Sequence, residues 1–218
     1  MTLNADKSVS LRITNKINAL QYAYKLESSP LQQVASVKYL GVTLTNNLSW
    51  NSHIDNICSL AFRKLCYIRH KLRNAPANVK LLGYNTLIRP KLEYACIIWD
   101  PYTKSNIRKL ENVQRKAIRF IYSKYLPTDS PSDLMHANGI EELQVRRRNF
   151  RLDFLSLLLN NKLRLDPSAY LSPMPTRNTR HYHKALLKPY FARTNSFKFS
   201  FFPRTISDWN SLTEPNQP

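Results

Sequence analysis

LEYACIIWDPY, residues 92–102, sets an apolar run directly before an Asp-Pro step. Proline lacks a backbone donor and disfavours a helical conformation in the residue before it. The step therefore predicts that one helix ends at Asp100 and that the chain turns at Pro101, with the apolar run in the core. Whether Asp100 is instead a catalytic carboxylate depends on the other acidic groups of the chain.

Helical periodicity is present on both sides of this stretch. Before it, a helix predicted through Val79 and Leu87 is expected to kink or break near Arg89, because Pro90 interrupts the backbone hydrogen bonds. After it, residues 103–125 carry an apolar stripe at helical spacing. The other face of that helix is basic, with a row at steps of seven and four, flanked by two lysines: Arg108, Arg115 and Arg119, with Lys109 and Lys116.

Two further helices are predicted outside this central part. In residues 49–73 apolar residues recur at steps of three, four and seven, which leaves Arg63 and Lys64 on other faces. Three polar residues are candidates for its N-cap: Ser49, Asn51 and Ser52. The second helix runs from about Ile140 to Asn161 and contains a basic triplet, Arg146, Arg147 and Arg148.

Both ends of the chain alternate apolar and polar residues in the manner of strands. SVSLRIT (8–14), LQYAYKL (20–26) and VKYLGVTLT (37–45) predict two or three antiparallel strands, with a turn at ESSP (27–30). Residues 164–180 contain three prolines and are predicted to be a linker. In the tail, alternating phenylalanines predict a short strand that Pro203 ends: Phe197, Phe199 and Phe201.

These patterns predict an α+β fold that is mainly α. Short N-terminal antiparallel strands are followed by a basic helical bundle and a Pro/aromatic-rich tail. The predicted segments are 1–48 for the strands, 49–125 for the bundle, 126–165 for a further helical segment and 166–218 for the linker and C-terminal extension.

The charge balance indicates a polyanionic partner. Lys and Arg number 33 against 14 Asp and Glu, which gives a net charge of +19. Nucleic acid is the leading candidate, because each phosphate neutralised by a cation releases counterions. An anionic membrane surface is the rival, but no window approaches the roughly 18 apolar residues of a spanning helix, and residues 1–20 lack the apolar region of a signal peptide. We expect an intracellular protein of the nucleus or cytoplasm.

Residues for other chemistry are scarce. The three glycines form no phosphate-binding loop, so chemistry driven by ATP is not expected. Three cysteines without zinc spacing predict core thiols: Cys58, Cys66 and Cys96. His181 and His183 could offer imidazoles to a metal, although phosphate contact or solvent exposure suits them better.

The close acidic pairs have structural explanations. Asp129 and Asp133 lie in a Pro/Ser stretch where aspartates serve in caps and turns. Glu141 and Glu142 lie where the dipole at the start of a helix favours acids. Phosphoryl and nucleotidyl transfer usually need Asp or Glu side chains that hold two metal ions. For both pairs the structural explanation is better than a role in such a metal site.

Five motifs in collinear order carry a family resemblance: VKYLGVTLTNNLSWNSHI (37–54), LIRPKLEYACIIWDP (87–101), IRKLENVQRKAIRFI (107–121), GIEELQVRRRNFR (139–151) and SFFPRTISDWNSL (200–212). In this order they resemble the C-terminal part of the reverse transcriptase of a non-LTR (LINE-type) retrotransposon, of the Jockey and chicken-repeat kind. The resemblance spans nearly the whole chain.

The resemblance implies roles for the segments. Residues 1–48 would be a remnant of the palm, residues 49–125 a thumb-like bundle that grips the template–primer duplex, and the tail a C-terminal extension. By position, Lys7 matches the lysine of a palm loop near the incoming nucleotide. The family's metal-binding aspartates, including the F/Y-A-D-D signature, do not occur here. The resemblance therefore implies no cofactor in this chain, two Mg²⁺ ions only in the full-length enzyme, and no polymerase activity from the chain alone.

The predicted function is nucleic-acid binding, to an RNA/DNA template–primer or duplex DNA. The residues expected to carry it are Arg63, Lys64, Arg108, Arg115, Lys116, Arg119, Arg146, Arg147 and Arg148. A partner in the full-length enzyme would be the rest of the palm. Two alternatives stay open: an independent basic nucleic-acid-binding or scaffold protein, domesticated or ribosome-associated, and a transposon remnant without function.

Overall fold

A computed structural model of the chain describes residues 4, 7–14, 16, 18, 22–174 and 186–213. Helices make up most of this part, and the strands all lie before residue 46. The predicted α+β fold, mainly α, is confirmed.

Two antiparallel hairpins lie in the N-terminal part. β2 (Lys25–Leu26) pairs with β3 (Ser29–Pro30) around the turn predicted at ESSP. β5 (Ser36–Tyr39) pairs with β6 (Val42–Thr45). The turn and the paired strands of VKYLGVTLT are therefore confirmed.

A third pair of strands is parallel. β1 (Val9–Leu11) lies beside β4 (Gln32–Val34) and runs in the same direction, so the prediction that all the strands would be antiparallel is wrong. A parallel pair needs a connection of about a dozen residues or more. Residues 12–31, which include the β2–β3 hairpin, provide that length.

The β5–β6 hairpin is attached to the helices on two sides. Gly41 in its turn has a φ of +86°, and a Cβ there would lie 3.0 Å from the ring of Tyr94. The Thr43 N–H donates to Nδ1 of the buried His53 at 3.2 Å. Burial, with a smaller contribution from Lys38, lowers the pKa of His53. The ring is therefore neutral at pH 7, and its Nδ1 can accept this bond.

The described part contains nine α-helices and one short 3₁₀ turn (Pro167–Ala169). The helices are α1 (Asn51–Lys71), α2 (Ala77–Leu87), α3 (Arg89–Glu93), α4 (Cys96–Trp99), α5 (Lys104–Ile121), α6 (Pro131–Ala137), α7 (Leu143–Leu159), α8 (Asn195–Lys198) and α9 (Phe201–Thr213). The four helices predicted by periodicity are present, and the predicted break at Pro90 separates α2 from α3. α4 ends before Asp100, as predicted.

α6 lies within residues 126–165, which were predicted to be helical, and Ser130 caps it by accepting the Asp133 N–H at 3.3 Å. Two local predictions need correction. α1 begins after Trp50 and has no side-chain cap; Ser49 Oγ only accepts the Asn51 N–H at 3.4 Å. Among the cysteines, Cys96 is buried and Cys58 half-buried, but Cys66 is exposed and is not a core thiol.

The predicted strand in the tail is wrong, because this segment forms α8 and α9. Its sequence carries a second pattern, in which Phe202, Ile206 and Trp209 recur at steps of four and three. These three side chains pack in a small second core with leucines of α7. Pro203 lies in the first turn of α9, where a missing N–H removes no helical bond.

The main core lies between the hairpin and helices α1 to α7, and Trp99, Ile54 and Leu110 are among its fully buried members. α1 and α5 lie side by side in it. The Asn106 amide donates to Asn51 Oδ1 at 2.7 Å, and Lys109 Nζ lies 2.5 Å from Asp55 Oδ1. The contact residue on α1 moves from Asn51 to Asp55 as the one on α5 moves from Asn106 to Lys109. The two helices therefore run parallel.

Asp100 links the main core to α7 and α9. Its carboxylate is 8% exposed and accepts hydrogen bonds from Arg147 Nε at 2.8 Å and Arg151 Nε at 3.0 Å, both on α7. Arg204 Nη1 on α9 lies 3.1 Å from Oδ2. We call these four residues the Asp100 cluster. It fixes the position of α7 and of the tail relative to the end of α4.

Arg151 extends the Asp100 cluster further into α9. Its Nη1 donates to Thr205 Oγ1 at 3.2 Å, and its Nη2 donates to Asp208 Oδ2 at 2.9 Å. Since every Arg151 nitrogen has a partner, this buried cation meets the condition for tolerating a buried charge.

We predict that Asp100→Ala lowers the free energy of unfolding by about 3–5 kcal/mol, because it removes the carboxylate that Arg147 and Arg151 share and leaves Arg147 buried with only the Glu111 carboxylate, 4.0 Å away. Urea denaturation measures this value. Asp55→Ala is the matched control: it breaks an exposed pair with Lys109 and should cost less than about 1 kcal/mol. A loss of similar size in both variants would contradict the role given to Asp100.

Candidate nucleic-acid interface

The carboxylates of the described residues form no metal site. No group of three or more His, Cys, Asp or Glu side chains there is arranged to hold a metal ion. Asp129 accepts the Leu126 N–H at 3.0 Å in a turn, and Asp133 lies in the first turn of α6. Asp129 and Asp133 thus have the structural places predicted for them. Glu141 and Glu142 were predicted to lie in the first turn of a helix, but both come before α7, with Glu142 as its N-cap residue. His181 and His183 lie outside the described residues.

Glu111, the only acid of α5, completes the start of α7. Its buried carboxylate accepts the N–H groups of Leu143 at 3.3 Å and Gln144 at 2.8 Å. These are among the donors that a helix leaves unpaired in its first turn. Burial raises the pKa of Glu111, while the two N–H bonds and the nearby Arg147 oppose that rise.

The basic triplet of α7 faces carboxylates of its own chain. Arg147 is fully buried on Asp100, so the prediction that it binds nucleic acid is wrong. Arg146 donates to Glu93 at 2.5 Å and 3.3 Å, and these bonds raise the pKa of Arg146. Arg148 stays partly exposed, with its Nε 3.8 Å from Asp208. Intramolecular ion pairs therefore partly or wholly neutralise all three charges.

The remaining predicted cations lie on α1 and α5. We call them the basic surface: Arg63 and Lys64 on α1, and Arg108, Arg115, Lys116 and Arg119 on α5. Over the described ranges, none of the six lies within 4 Å of a carboxylate, whereas the neighbouring Lys109 is paired with Asp55. Arg63, Arg108 and Lys116 are exposed, and the other three are half-buried. Their charges are thus available to a partner.

The basic surface has three parts. On α5, at 3.6 residues per turn, positions 108, 115 and 119 fall within about 40° of one another and form a single row. Lys116 lies at the contact between α1 and α5, with its Nζ 4.5 Å from the centre of the Phe62 ring. Arg63 and Lys64 lie apart from these, on the side of α1 that faces away from α5.

Arg63 and Lys64 border a groove between α1 and the α2–α3 region. The groove has a volume of about 770 Å³ and an apolar floor. The Lys64 ammonium lies 5.0 Å from the centre of the Tyr67 ring. Like Lys116, this lysine is held near an aromatic face, which reduces the number of side-chain conformations that binding must restrict.

Arg119 and Arg115 are oriented by the protein in different ways. Arg119 Nη1 donates to the carbonyls of Leu126 at 3.1 Å and Lys124 at 3.4 Å, in the loop after α5. Arg115 Nε is buried and, within the described part, has no hydrogen-bond partner. Its unsatisfied donor favours a ligand or a water at this position.

Sequence reasoning missed a second basic recess, of about 690 Å³, where the ends of α1 and α5 approach α2. We call it the Lys80 recess. The polar side chains that line it are Arg69, His70, Arg73, Asn74, Lys80 and Ser123. The sequence does show the crowding of basic residues at the end of α1. It does not show that Lys80, on another helix, lies beside them.

Two of the tail aromatics, Phe199 and Phe202, stack on other rings of the protein. Phe199 stacks on Tyr102 with ring centres 4.4 Å apart, and Phe202 stacks on Tyr170 at 5.0 Å. These rings are therefore not free platforms for bases. Lys7 is exposed in the N-terminal part, and its role next to a nucleotide stays a prediction. In the part of the chain that the structure covers, no helix has the length and apolar character needed to cross a bilayer.

The chain is similar to three curated proteins of Drosophila melanogaster. It is 27% identical over 122 residues to a probable RNA-directed DNA polymerase from transposon X-element and 29% identical over 124 residues to the RNA-directed DNA polymerase from mobile element jockey. It is 25% identical over 125 residues to a probable RNA-directed DNA polymerase from transposon BS. No protein-family model matches the chain. No solved structure matches it either.

These matches cover 55% to 56% of this chain but only 13% to 14% of each relative. The predicted resemblance to non-LTR retrotransposon reverse transcriptases is confirmed, and it corresponds to a small part of those polymerases.

We predict that the raised pKa of Glu111 makes stability depend on pH. The folded state holds the Glu111 proton more tightly than the unfolded state, whose pKa is near 4.5. The stabilisation that this tighter proton binding adds to the free energy of unfolding is complete below pH 4.5. It is lost as pH rises through the raised pKa. Relative to Glu111→Gln, the wild type should therefore lose stability as pH rises, measured by urea denaturation at several pH values. A constant difference between the two proteins would contradict this.

We predict that alkylation separates the cysteines. Burial raises the pKa of Cys58 to about 11 and that of Cys96 to about 12, so both are thiols at pH 7. Cys66 is exposed and should react first with iodoacetamide, as measured by mass spectrometry of the peptides. In urea all three should react. Native labelling of Cys96 as fast as that of Cys66 would show that the core around α4 opens readily.

Proposed function

We propose that this chain binds a nucleic-acid duplex, an RNA/DNA template–primer or duplex DNA, as the thumb-like part of a retrotransposon reverse transcriptase. The observation that carries the proposal is the distribution of charge. The arginines of α7 are opposed by carboxylates, whereas the six cations of the basic surface have none within 4 Å in the described residues. The similarity of the chain to RNA-directed DNA polymerases also supports a nucleic-acid partner.

The arginine row of α5 has a length suited to a phosphate backbone. Arg108 and Arg119 are eleven positions apart, which corresponds to about 16 Å along a helix. Successive phosphates of one strand are about 3.4 Å apart along the duplex axis, so the row spans about five of them. Contacts of this kind carry no base information, and we expect binding with little sequence preference.

Polymerase chemistry is not proposed for this chain alone. Nucleotidyl transfer uses two metal ions held by carboxylates, and among the described residues the buried acids Asp100 and Glu111 and the half-buried Glu93 already have partners. Asp100 is held by three arginines, Glu111 by two backbone N–H groups, and Glu93 by Arg146. The two Mg²⁺ ions of the reaction would belong to the full-length polymerase, as would pairing of this chain with the rest of the palm.

A second candidate function is that of a basic scaffold that binds another protein. The observation that favours it is the groove beside Lys64, whose floor includes the exposed side chains Leu60, Tyr67 and Tyr94. A protein partner in an apolar groove would bind with little dependence on salt, whereas duplex binding would weaken steeply with salt. Salt dependence therefore separates the two functions.

We predict that the chain binds a fluorescently labelled RNA/DNA heteroduplex at low salt, and that the logarithm of the binding constant falls linearly with the logarithm of salt concentration. Fluorescence anisotropy measures both. Replacing Arg108, Arg115 and Arg119 together with Gln should lower the slope by about 0.9 for each phosphate that the variant no longer neutralises. No binding at low salt, or binding that does not respond to salt, would refute the proposal.

Arg108→Gln and Lys109→Gln form a matched pair for this experiment. The two residues are adjacent and exposed, and each substitution removes one positive charge. Lys109 is already paired with Asp55, so Arg108→Gln should reduce the salt slope more than Lys109→Gln does. Equal effects would indicate that only net charge matters and that the arginine row does not touch the duplex.

A further inference from the structure

Among the residues that the structure describes, Lys80 is a buried cation without an acidic partner. Its side chain extends from α2 into the Lys80 recess and is 6% exposed. Its Nζ donates to Ser123 Oγ at 3.3 Å and lies 5.1 Å from the centre of the Phe120 ring. An ammonium group has three donors, and within the described residues only this one bond is formed. A buried charge normally has a counter-charge, so this position favours a negative group.

The rest of the recess repeats this one-sided chemistry. Arg69, His70 and Arg73 at the end of α1 line it, and none of the described carboxylates does. None of these three residues forms an ion pair in the described part of the chain. The guanidinium groups offer bidentate donors and Lys80 a point charge, a combination that suits the oxygens of a phosphate group.

We propose that the Lys80 recess is a phosphate-binding pocket, in which Lys80 is the central cation and Arg69 and Arg73 close over the bound group. The preferred source of the phosphate is the backbone of a nucleic-acid duplex, and this choice of source rests on the proposed function. The pocket itself does not, because a free phosphate compound would be bound by the same groups.

A structural role for these cations makes a different prediction. Basic residues near the C-terminal end of a helix are favoured by its dipole, and Arg69 and His70 lie in the last turn of α1. If Lys80 served only to stabilise the ends of α1 and α5, its loss would lower the melting temperature by the same amount with and without phosphate. Ligand-dependent stabilisation therefore separates the two roles.

The test uses the whole chain with pyrophosphate as the probe, against sodium chloride at equal ionic strength. Pyrophosphate should raise the melting temperature by roughly 5–10 °C at about 100 times its Kd. Lys80→Met should weaken pyrophosphate binding about tenfold or more. Lys198→Met is the matched control, since its ammonium also lies over a phenylalanine ring but outside both the recess and the basic surface, and it should keep the wild-type response.

A second variant keeps the test decisive if Lys80→Met does not fold. Arg73 is exposed, so Arg73→Gln should fold normally and still bind pyrophosphate severalfold more weakly. The proposal is overturned if pyrophosphate does not stabilise the wild type, or if the Lys80 and Lys198 variants lose the response equally.

A competition arm identifies the source of the phosphate. If pyrophosphate displaces the labelled heteroduplex from the wild type but not from the Lys80 variant, the pocket holds a backbone phosphate. If it binds in a Lys80-dependent way without displacing the duplex, the pocket serves a free phosphate compound. A third outcome is that duplex binding depends on Arg108 while pyrophosphate does not raise the melting temperature. That outcome would overturn the phosphate-binding pocket and leave the proposed function intact.

Discussion

The Asp100 carboxylate has to be neutralised inside the protein, and the arrangement of the C-terminal half follows from that requirement. Burying a lone carboxylate costs several kcal/mol, so the chain brings three guanidinium groups to it from α7 and α9. Those three cations require further acids in turn, which Glu111 and Asp208 supply. Three positive and three negative groups thus form a balanced set that joins α4, α5, α7 and α9.

This balanced set leaves the excess of positive charge outside it. The chain has 33 Lys and Arg against 14 Asp and Glu. A set with three charges of each sign takes nothing from the net charge of +19. The excess cations therefore lie on the rest of the chain, and the six cations of the basic surface on α1 and α5 are among them.

Local patterns predicted much of the fold. The apolar period located α1, α5 and α7 to within a few residues, and Pro90 located the break between α2 and α3, because both signals act over one or two helical turns. The tail was misassigned because Phe197, Phe199 and Phe201 alternate while Phe202, Ile206 and Trp209 have helical spacing. Both patterns are present, and only packing against α7 decides between them.

The candidate site was less predictable. Charge counting identified the basic helices, but whether an arginine is free depends on its partner, and Asp100 lies 47 positions from Arg147.

Because one carboxylate serves three arginines, positions 100, 147, 151 and 204 cannot change independently. A lysine at 147 or 151 would lack the planar guanidinium group that donates to the buried Asp100 carboxylate. An apolar residue at one of the four positions would leave an uncompensated charge at the others. An acceptable replacement must alter several of the four together, for example an apolar set of similar volume. We expect these four positions to vary together among relatives, which either keep the whole set or replace all of it.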